Sequence, residues 1–206
     1  PGFREWFGYS RMGDDAGRPM KLYHITPHDF DTFKAGGFNE KLSGPGIWLS
    51  MSPKDEIAAH NIGYGKNYKE GTRQIPVYAR IEKPLYLDPE DRHKDGEFGV
   101  LKEMGIEAKG MPQFFTQQIK DQLVARGYDG IVYLGRGEDS SGRGLMTDYQ
   151  EVIVFRGDQL KSIYNEEFTE SPRYRQRKDA ASSPLYRSRP DMKALSDAEA
   201  SKALQT

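Results

Sequence analysis

The chain has 206 residues, of which 36% are hydrophobic and 30% charged, which is enough for one domain with a core and leaves part of the chain outside it. Its 30 basic and 31 acidic residues give a net charge of −1, so bulk electrostatics predict neither nucleic-acid nor membrane binding. The absence of cysteine excludes disulfides, thiol catalysis and zinc–thiolate sites. No apolar run is long enough to span a bilayer, and a start at Pro1 rather than Met indicates a fragment of a longer polypeptide.

Short apolar segments bounded by turn residues predict β-strands. One of them, at residues 75–81, alternates apolar and polar side chains with the period of a half-buried strand. The segment at residues 148–155 ends in four apolar residues in a row, which is typical of a strand covered on both faces. The predicted strands span residues 20–26, 46–50, 75–81 with a continuation at 83–88, 128–133 and 148–155, and residues 158–163 close the body.

Helices are predicted between these strands. Ser52 at the N-cap and Pro53 at the first position indicate a helix start. The clearest amphipathic pattern places Phe115, Ile119 and Leu123 at helical spacing, followed by a glycine cap. The predicted helices are one turn near residues 3–8, a segment beginning at 52, a segment near 98–104 inside a polar insertion, and residues 114–126.

In the strand at residues 148–155 the carboxylate of Glu151 lies directly at the polar end of the apolar run. Side chains alternate across a strand, so Tyr149 lies on the same face as Glu151. The glycine-rich residues 135–144 upstream predict a mobile loop that leads into this strand. On this stretch alone, an edge-strand charge that faces water explains Glu151 better than a reaction site does.

The composition changes at residue 171, and we expect a folded domain over residues 1–170 followed by a linker or tail over 171–206. Arg and Lys dominate residues 172–178, and a solvated linker explains that basic run better than nucleic-acid contact does. Ser196 and Glu199 have the spacing of a capping box and could open a short terminal helix.

Residue chemistry by itself favours no site. His24 and His28 are four apart, but Pro27 between them argues against a shared helix face, so a metal site is not expected. The chain has no P-loop or dinucleotide-binding fingerprint. Taken singly, His24, Trp48 and Glu151 are explained as a strand-end histidine, a core tryptophan and a surface glutamate.

Taken together, three segments resemble the His-Tyr-Glu group of ADP-ribosyltransferases, which includes diphtheria toxin and the poly(ADP-ribose) polymerases. They are Tyr23-His24-x-Thr26, Gly46-Ile47-Trp48-Leu49-Ser50 with a following Ala58-Ala59-His60, and Tyr149-x-Glu151-Val152-Ile153-Val154-Phe155. Further short motifs over about residues 3–170 are similar to the ADP-ribosyltransferase domain of phage and mobile-element polyvalent proteins. They include Trp6-Phe7-Gly8, Phe30-x-x-Phe33, Lys83-Pro84-Leu85, Gly127-Tyr128-Asp129-Gly130 and Gln159-Leu160-Lys161-Ser162.

The resemblance implies an α+β fold, a split antiparallel β core of two half-sheets with flanking helices and NAD in the cleft between them. It implies that His24 hydrogen-bonds the adenosine ribose and that the backbone of Ile25 holds the nicotinamide amide. Glu151 would hydrogen-bond the nicotinamide ribose and stabilise an oxocarbenium-like state. Trp48 would lie where the family has a tyrosine beside the nicotinamide, and His60 near a second ring-stacking position.

By the same resemblance, Thr26 and Ser50 complete the NAD-binding set, and Tyr149 and Gln150 contact the acceptor. Glu151, His24 and Trp48 form the expected catalytic set, with NAD as a substrate and no metal. Ile25 departs from the family, which usually has glycine there, and its side chain is expected to narrow the nicotinamide pocket. Trp48 in place of tyrosine changes the hydrogen bonding.

The expected function is therefore mono-ADP-ribosylation of a bacterial macromolecule, protein or nucleic acid, by a toxin or effector domain. Tyr149, two residues before Glu151, argues by resemblance against arginine as the acceptor. We expect a monomeric domain of a larger polypeptide without membrane contact, acting in the cytoplasm of a bacterial host after delivery by phage or secretion. The alternatives are NAD hydrolysis and a catalytically inactive binding module of a phage polyprotein. An RNA-directed phosphotransferase on the same fold is disfavoured, since no arginine cluster lies near the motifs.

Overall fold

The structure, a computed structural model, describes residues 2–14, 16–26, 30–36, 44–51, 73–88, 98–107, 115–138 and 146–173. For residues 73, 134–138 and 146–150 only the backbone is described. Within these ranges the helices are α1 (Phe3–Phe7), α2 (Gly99–Glu103), α3 (Gln117–Ala125) and a 3-10 turn at Gly157–Gln159. The strands are β1 (Leu22–Thr26), β2 (Ile47–Ser50), β3 (Arg73–Ala79), β4 (Pro84–Leu87), β5 (Gly130–Glu138), β6 (Met146–Val154) and β7 (Leu160–Ser162).

The strands form one sheet in the order β4-β5-β6-β2-β1-β3-β7. All neighbours are antiparallel except β4 and β5, which run parallel, so the sheet is mixed. The predicted α+β class, with a sheet like that of the ADP-ribosyltransferases, is confirmed. The predicted continuation of the third strand at residues 83–88 does form β4, but β4 pairs at the far edge of the sheet instead of extending β3.

The sheet is strongly curled. Ala79 ends β3 and Pro84 begins β4, and five Cα steps span at most about 19 Å. A flat sheet would hold these two strands about 24 Å apart, because five inter-strand gaps of roughly 4.8 Å lie between them. The two ends of the sheet must therefore approach each other, although the sheet does not close.

Both faces of the sheet are covered, which explains the unbroken apolar run in β6. Ile153 faces a first core under α2 and α3. Val152 and Val154 face a second core that includes Trp6 and Phe7 of α1. The first core includes Leu85, Phe98, Leu101, Phe115, Ile119, Leu123, Ile131, Tyr133 and Phe155.

The predicted amphipathic helix is confirmed as α3, and its two buried side chains are Ile119 and Leu123. Thr116 caps it by accepting a hydrogen bond from the backbone N–H of Ile119 at 3.3 Å. Gly127 follows at φ +80°, a left-handed conformation that favours glycine. The predicted segment near 98–104 is α2, whereas the helix predicted from Ser52 lies outside the described residues.

Two predictions about the Glu151 segment were wrong. Residues 135–138 belong to β5, with Gly135 opposite Tyr149 and Gly137 opposite Thr147, so the loop expected over 135–144 does not begin at 135. Residues 139–145 lie outside the described residues. Ladder hydrogen bonds in a long hairpin outweigh the weak strand preference of glycine. As a result Glu151 lies in the interior of β6, a central strand, and is fully buried instead of facing water at an edge.

Candidate active site

The site is built around a seam in the sheet between β1 and β2. These strands share a single Cα pair, Tyr23 with Ser50, whereas β2 pairs with β6 over four positions and β1 with β3 over five. The seam therefore divides the sheet into β4-β5-β6-β2 and β1-β3-β7. This division corresponds to the two half-sheets that the resemblance implied.

His24 stands in the seam. Its Nδ1 lies 3.1 Å from the backbone oxygen of Trp48, so a side chain takes the place of a ladder donor between the strands. A carbonyl oxygen can only accept, and the hydrogen therefore lies on Nδ1. In the neutral ring Nε2 is then left as an acceptor.

The electrostatic environment keeps His24 neutral. Burial lowers the pKa of the imidazole below its ordinary value of 6.5, since desolvation disfavours the charged ring. The hydrogen bond to Trp48 opposes that shift only in part. Phe30 and Phe33 present ring edges to the imidazole, each with centroids 5.8 Å away, and cover part of its surface with apolar groups.

Glu151 is the carboxyl group at the centre of the other half-sheet. It pairs with Ser50 on β2 and with Tyr133 on β5, and its side chain has no exposed surface. Because paired residues share a face, the Tyr23–Ser50–Glu151 line places Glu151 two strands, or about 10 Å, from β1. The fold thus places the strand that carries His24 and the strand that carries Glu151 on either side of β2. By alternation His24 and Glu151 belong to opposite faces of the sheet, and the His24 ring turns into the seam to reach the Trp48 oxygen.

The other predicted site residues on β1 and β2 also lie at the seam. Thr26 and Ser50 are buried, at 4% and 1% exposed. Ile25 is 2% exposed and by alternation lies on the same face as Tyr23 and hence as Glu151. Trp48 is 7% exposed and packs in the first core, where it pairs with Ile153, while its backbone oxygen binds His24.

For three predicted site residues the structure does not describe the side chain. Tyr149 and Gln150 immediately precede Glu151 in β6, opposite Gly135 and Leu134, and only their backbone is described. His60 lies outside the described residues.

Sequence reasoning missed two contributors. Tyr133 is 3% exposed and directly opposite Glu151, a relationship that only the β5–β6 register fixes. Phe30 and Phe33 were noticed as an aromatic pair, but their contact with His24 was not predicted. The sequence does contain a signal for this contact. Phe30 and Phe33 are three residues apart and closely follow β1, so both rings can pack against that strand.

Residues 14–170 match the family described as ADP-ribosyltransferase in polyvalent proteins, and the match covers well over half of the chain. The chain belongs to this family. The resemblance in the sequence motifs is thereby confirmed, and membership supports ADP-ribosyltransferase activity in general, with NAD as the substrate that the family uses. A comparison with curated proteins finds no significant match.

The described ranges contain no group of three or more His, Asp or Glu side chains arranged to hold a metal ion. In the same part of the chain no helix has the length and apolar character needed to cross a membrane.

Proposed function

We propose that this domain transfers a single ADP-ribose unit from NAD to a bacterial macromolecule. The observation that supports it most is the seam between β1 and β2, which holds the His24 ring and lies one strand from the Glu151 strand, within a chain of the ADP-ribosyltransferase family. NAD would lie along this seam. The proposed setting is the cytoplasm of a bacterial cell, where NAD is abundant.

The adenosine end of NAD would be held by His24. Its Nδ1 is occupied by the Trp48 oxygen, so Nε2 would accept a hydrogen bond from a ribose hydroxyl. A neutral imidazole is the form that can accept, which agrees with the lowered pKa of His24. The nicotinamide amide would lie on the backbone of Ile25, beside the buried Thr26 and Ser50.

In the reaction the bond between the nicotinamide nitrogen and ribose C1′ breaks, and its electron pair leaves with nicotinamide. Positive charge builds on the ribose ring, as in glycoside hydrolysis. The Glu151 carboxylate, held in a central strand, would stabilise that charge and fix the ribose hydroxyl. A nucleophile of the acceptor then attacks C1′ and loses its proton.

The remaining predicted site residues would line the nicotinamide pocket and the acceptor side of the site. The Trp48 indole is packed in the first core, so it would back the wall of the nicotinamide pocket. His60 would supply the second ring. Tyr149 and Gln150 would meet the acceptor, since they join the catalytic strand to the β5–β6 hairpin.

The test is nicotinamide release from NAD by this domain, with and without bacterial lysate, in wild type and in Glu151→Gln. Glu103→Gln on α2 is the matched control, because it makes the same chemical change on an exposed side chain. We expect a loss of about 10²–10³-fold in Glu151→Gln, the effect of removing one preorganised charge-stabilising group, and none in Glu103→Gln.

The acceptor is read from the lysate with NAD labelled on the adenine. A labelled protein or nucleic acid that disappears in Glu151→Gln supports the transferase. Release without any labelled macromolecule would show hydrolysis of NAD instead. Absence of both release and NAD binding by calorimetry would contradict the proposal and leave a binding module.

A further inference from the structure

The ring of His24 is contacted by two phenylalanines that follow β1. Phe30 and Phe33 contact it edge-on and contact each other with centroids 5.2 Å apart. Phe33 is 2% exposed, so its position is fixed by packing, and it belongs to the second core. What fixes Phe33 therefore also limits where the His24 ring can lie.

Phe33 is fixed from two sides by the C-terminal part of the body. Its backbone N–H donates to the oxygen of Pro172 at 3.0 Å, and Thr32 forms an antiparallel bridge with Arg173. On the other side Gly157 approaches so closely that a Cβ there would lie 1.9 Å from the Phe33 oxygen.

The residues that reach Phe33 are anchored to the body at three points. Phe168 packs against Phe3 and Trp6 of α1, with centroids 5.0 Å and 5.8 Å away. Glu170 accepts two hydrogen bonds from the Arg80 guanidinium, at 2.8 Å and 2.6 Å. Lys161 of β7 donates from its buried ammonium group to the backbone oxygen of Ser171.

We infer that residues 168–173, which we call the C-terminal strap, position His24 for the adenosine ribose by holding Phe33 against it. The chain of contact runs from Arg80 and Glu170 through Pro172 to Phe33 and then to the imidazole. The strap acts through Phe33 and does not touch the reacting atoms, so its residues are positioning residues. This inference rests on the proposed function for the role of His24.

The variant that tests it is Glu170→Lys in the full chain. The new ammonium faces the Arg80 guanidinium and should detach the strap by like-charge repulsion. Glu170 is exposed, so the fold should survive. Glu167→Lys is the matched control, since Glu167 makes the same charge change three residues away and has no hydrogen bond or ion pair to any described residue. Glu170→Gln, which loses the charge but not the size, should fall between them.

Three quantities are measured. Exchange of the Phe33 amide hydrogen, followed by NMR, should become about tenfold faster in Glu170→Lys, since its acceptor Pro172 moves away. The NMR signals of the His24 ring should shift. KM for NAD should rise about three- to tenfold while kcat changes less than about twofold, since a contact to the adenosine ribose is made equally in ground and transition states. Glu167→Lys should match wild type in all three.

The outcomes separate the two proposals. Unchanged Phe33 exchange in Glu170→Lys would overturn the claim that the strap holds Phe33. Faster exchange with unchanged His24 signals would overturn the coupling to the imidazole. A wild-type domain that neither binds nor cleaves NAD would defeat the proposed function, while the exchange and ring signals would still decide whether the strap positions His24.

Discussion

The imidazole Nδ1 of His24 lies 3.1 Å from the backbone oxygen of Trp48, so that a side chain bridges the two half-sheets where a strand ladder would otherwise continue. Beyond Tyr23 and Ser50 the strands β1 and β2 have no further Cα pair in the part of the chain that the structure describes. The histidine thus both separates the strands and connects them. Its tautomer is a consequence of this one hydrogen bond.

We expect His24 to stay neutral down to a pH below its ordinary pKa of 6.5. The folded-state pKa is lowered, so the unfolded chain takes up the proton first. The stability that neutral His24 contributes is therefore complete above about pH 6.5 and is lost as pH falls toward the folded-state pKa. NMR titration of the ring should give that value.

Urea unfolding at pH 7.5 and pH 5.5 then compares wild type with His24→Gln. The difference between the two proteins isolates this histidine, because the carboxylates with lowered pKa, Asp14 and Glu170, titrate only near or below their ordinary values of 3.8 and 4.5. Wild type should lose more stability at pH 5.5 than the variant does. Equal losses would contradict the assignment.

Ile25→Ala should improve NAD binding while it weakens the fold. Ile25 lies on the face of β1 that Glu151 shares, and it is 2% exposed. Removing a buried isoleucine side chain costs about 2–5 kcal/mol of the free energy of unfolding. If the side chain narrows the nicotinamide pocket, KM for NAD should fall, whereas Leu123→Ala in the first core should cost similar stability with no fall in KM. A higher KM in Ile25→Ala would show that the side chain supports the pocket.

Gly46→Ala should destabilise the start of β2. A Cβ at Gly46 would lie 2.3 Å from the Cγ2 of Ile153 and 2.9 Å from the Phe115 ring, both in the first core. Overpacking of this kind costs about 1–3 kcal/mol, measured as a lower urea midpoint. Gly13→Ala is the control, because its nearest contact would be an ordinary 3.5 Å. Equal stability of the two variants would show that Ile153 and Phe115 can shift to accommodate a Cβ at Gly46 without loss of stability.

Gln159→Leu should be among the most damaging polar substitutions outside the site. The Gln159 side chain accepts from the backbone N–H groups of Phe155 and Arg156 and donates to the backbone oxygens of Arg80 and Asp129. Leaving buried groups without partners costs about 1–3 kcal/mol each, so we expect a loss of roughly 2–4 kcal/mol after some rearrangement.

Gln117→Leu is the matched control for that experiment. Gln117 is exposed on α3 and bonds only to the side chain of Asp121 among the described residues. Its substitution should leave the melting temperature within a few degrees of wild type. A Gln159→Leu protein as stable as the control would contradict the bridging role.

Local pattern was sufficient for the elements that carry a strong periodic signal. The helix around Ile119 and Leu123 could be predicted because its buried side chains recur with the helical period. The end of β6 could be predicted because an unbroken apolar run is typical of a strand that is covered on both faces. The motifs also identified the family, which the match over residues 14–170 confirms. The assigned roles of the site residues remain predictions.

Features that depend on pairing could not be read from the sequence. Glu151 looked like an exposed strand end, since its burial comes from β5 and β2 on either side and from Tyr133 opposite it. The glycines at 135 and 137 looked like a loop, because the ladder that holds them is formed with residues further along the chain. The hydrogen bond from Phe33 to Pro172 joins residues that no local pattern relates.

The Gln159 side chain links the two half-sheets that the seam separates. By bonding Arg80 after β3, Asp129 before β5 and Phe155 after β6, it joins the two half-sheets through one side chain. The link between the half-sheets is therefore shared between the single Tyr23–Ser50 pair with the His24 bridge and a buried amide that lies outside the strand ladder.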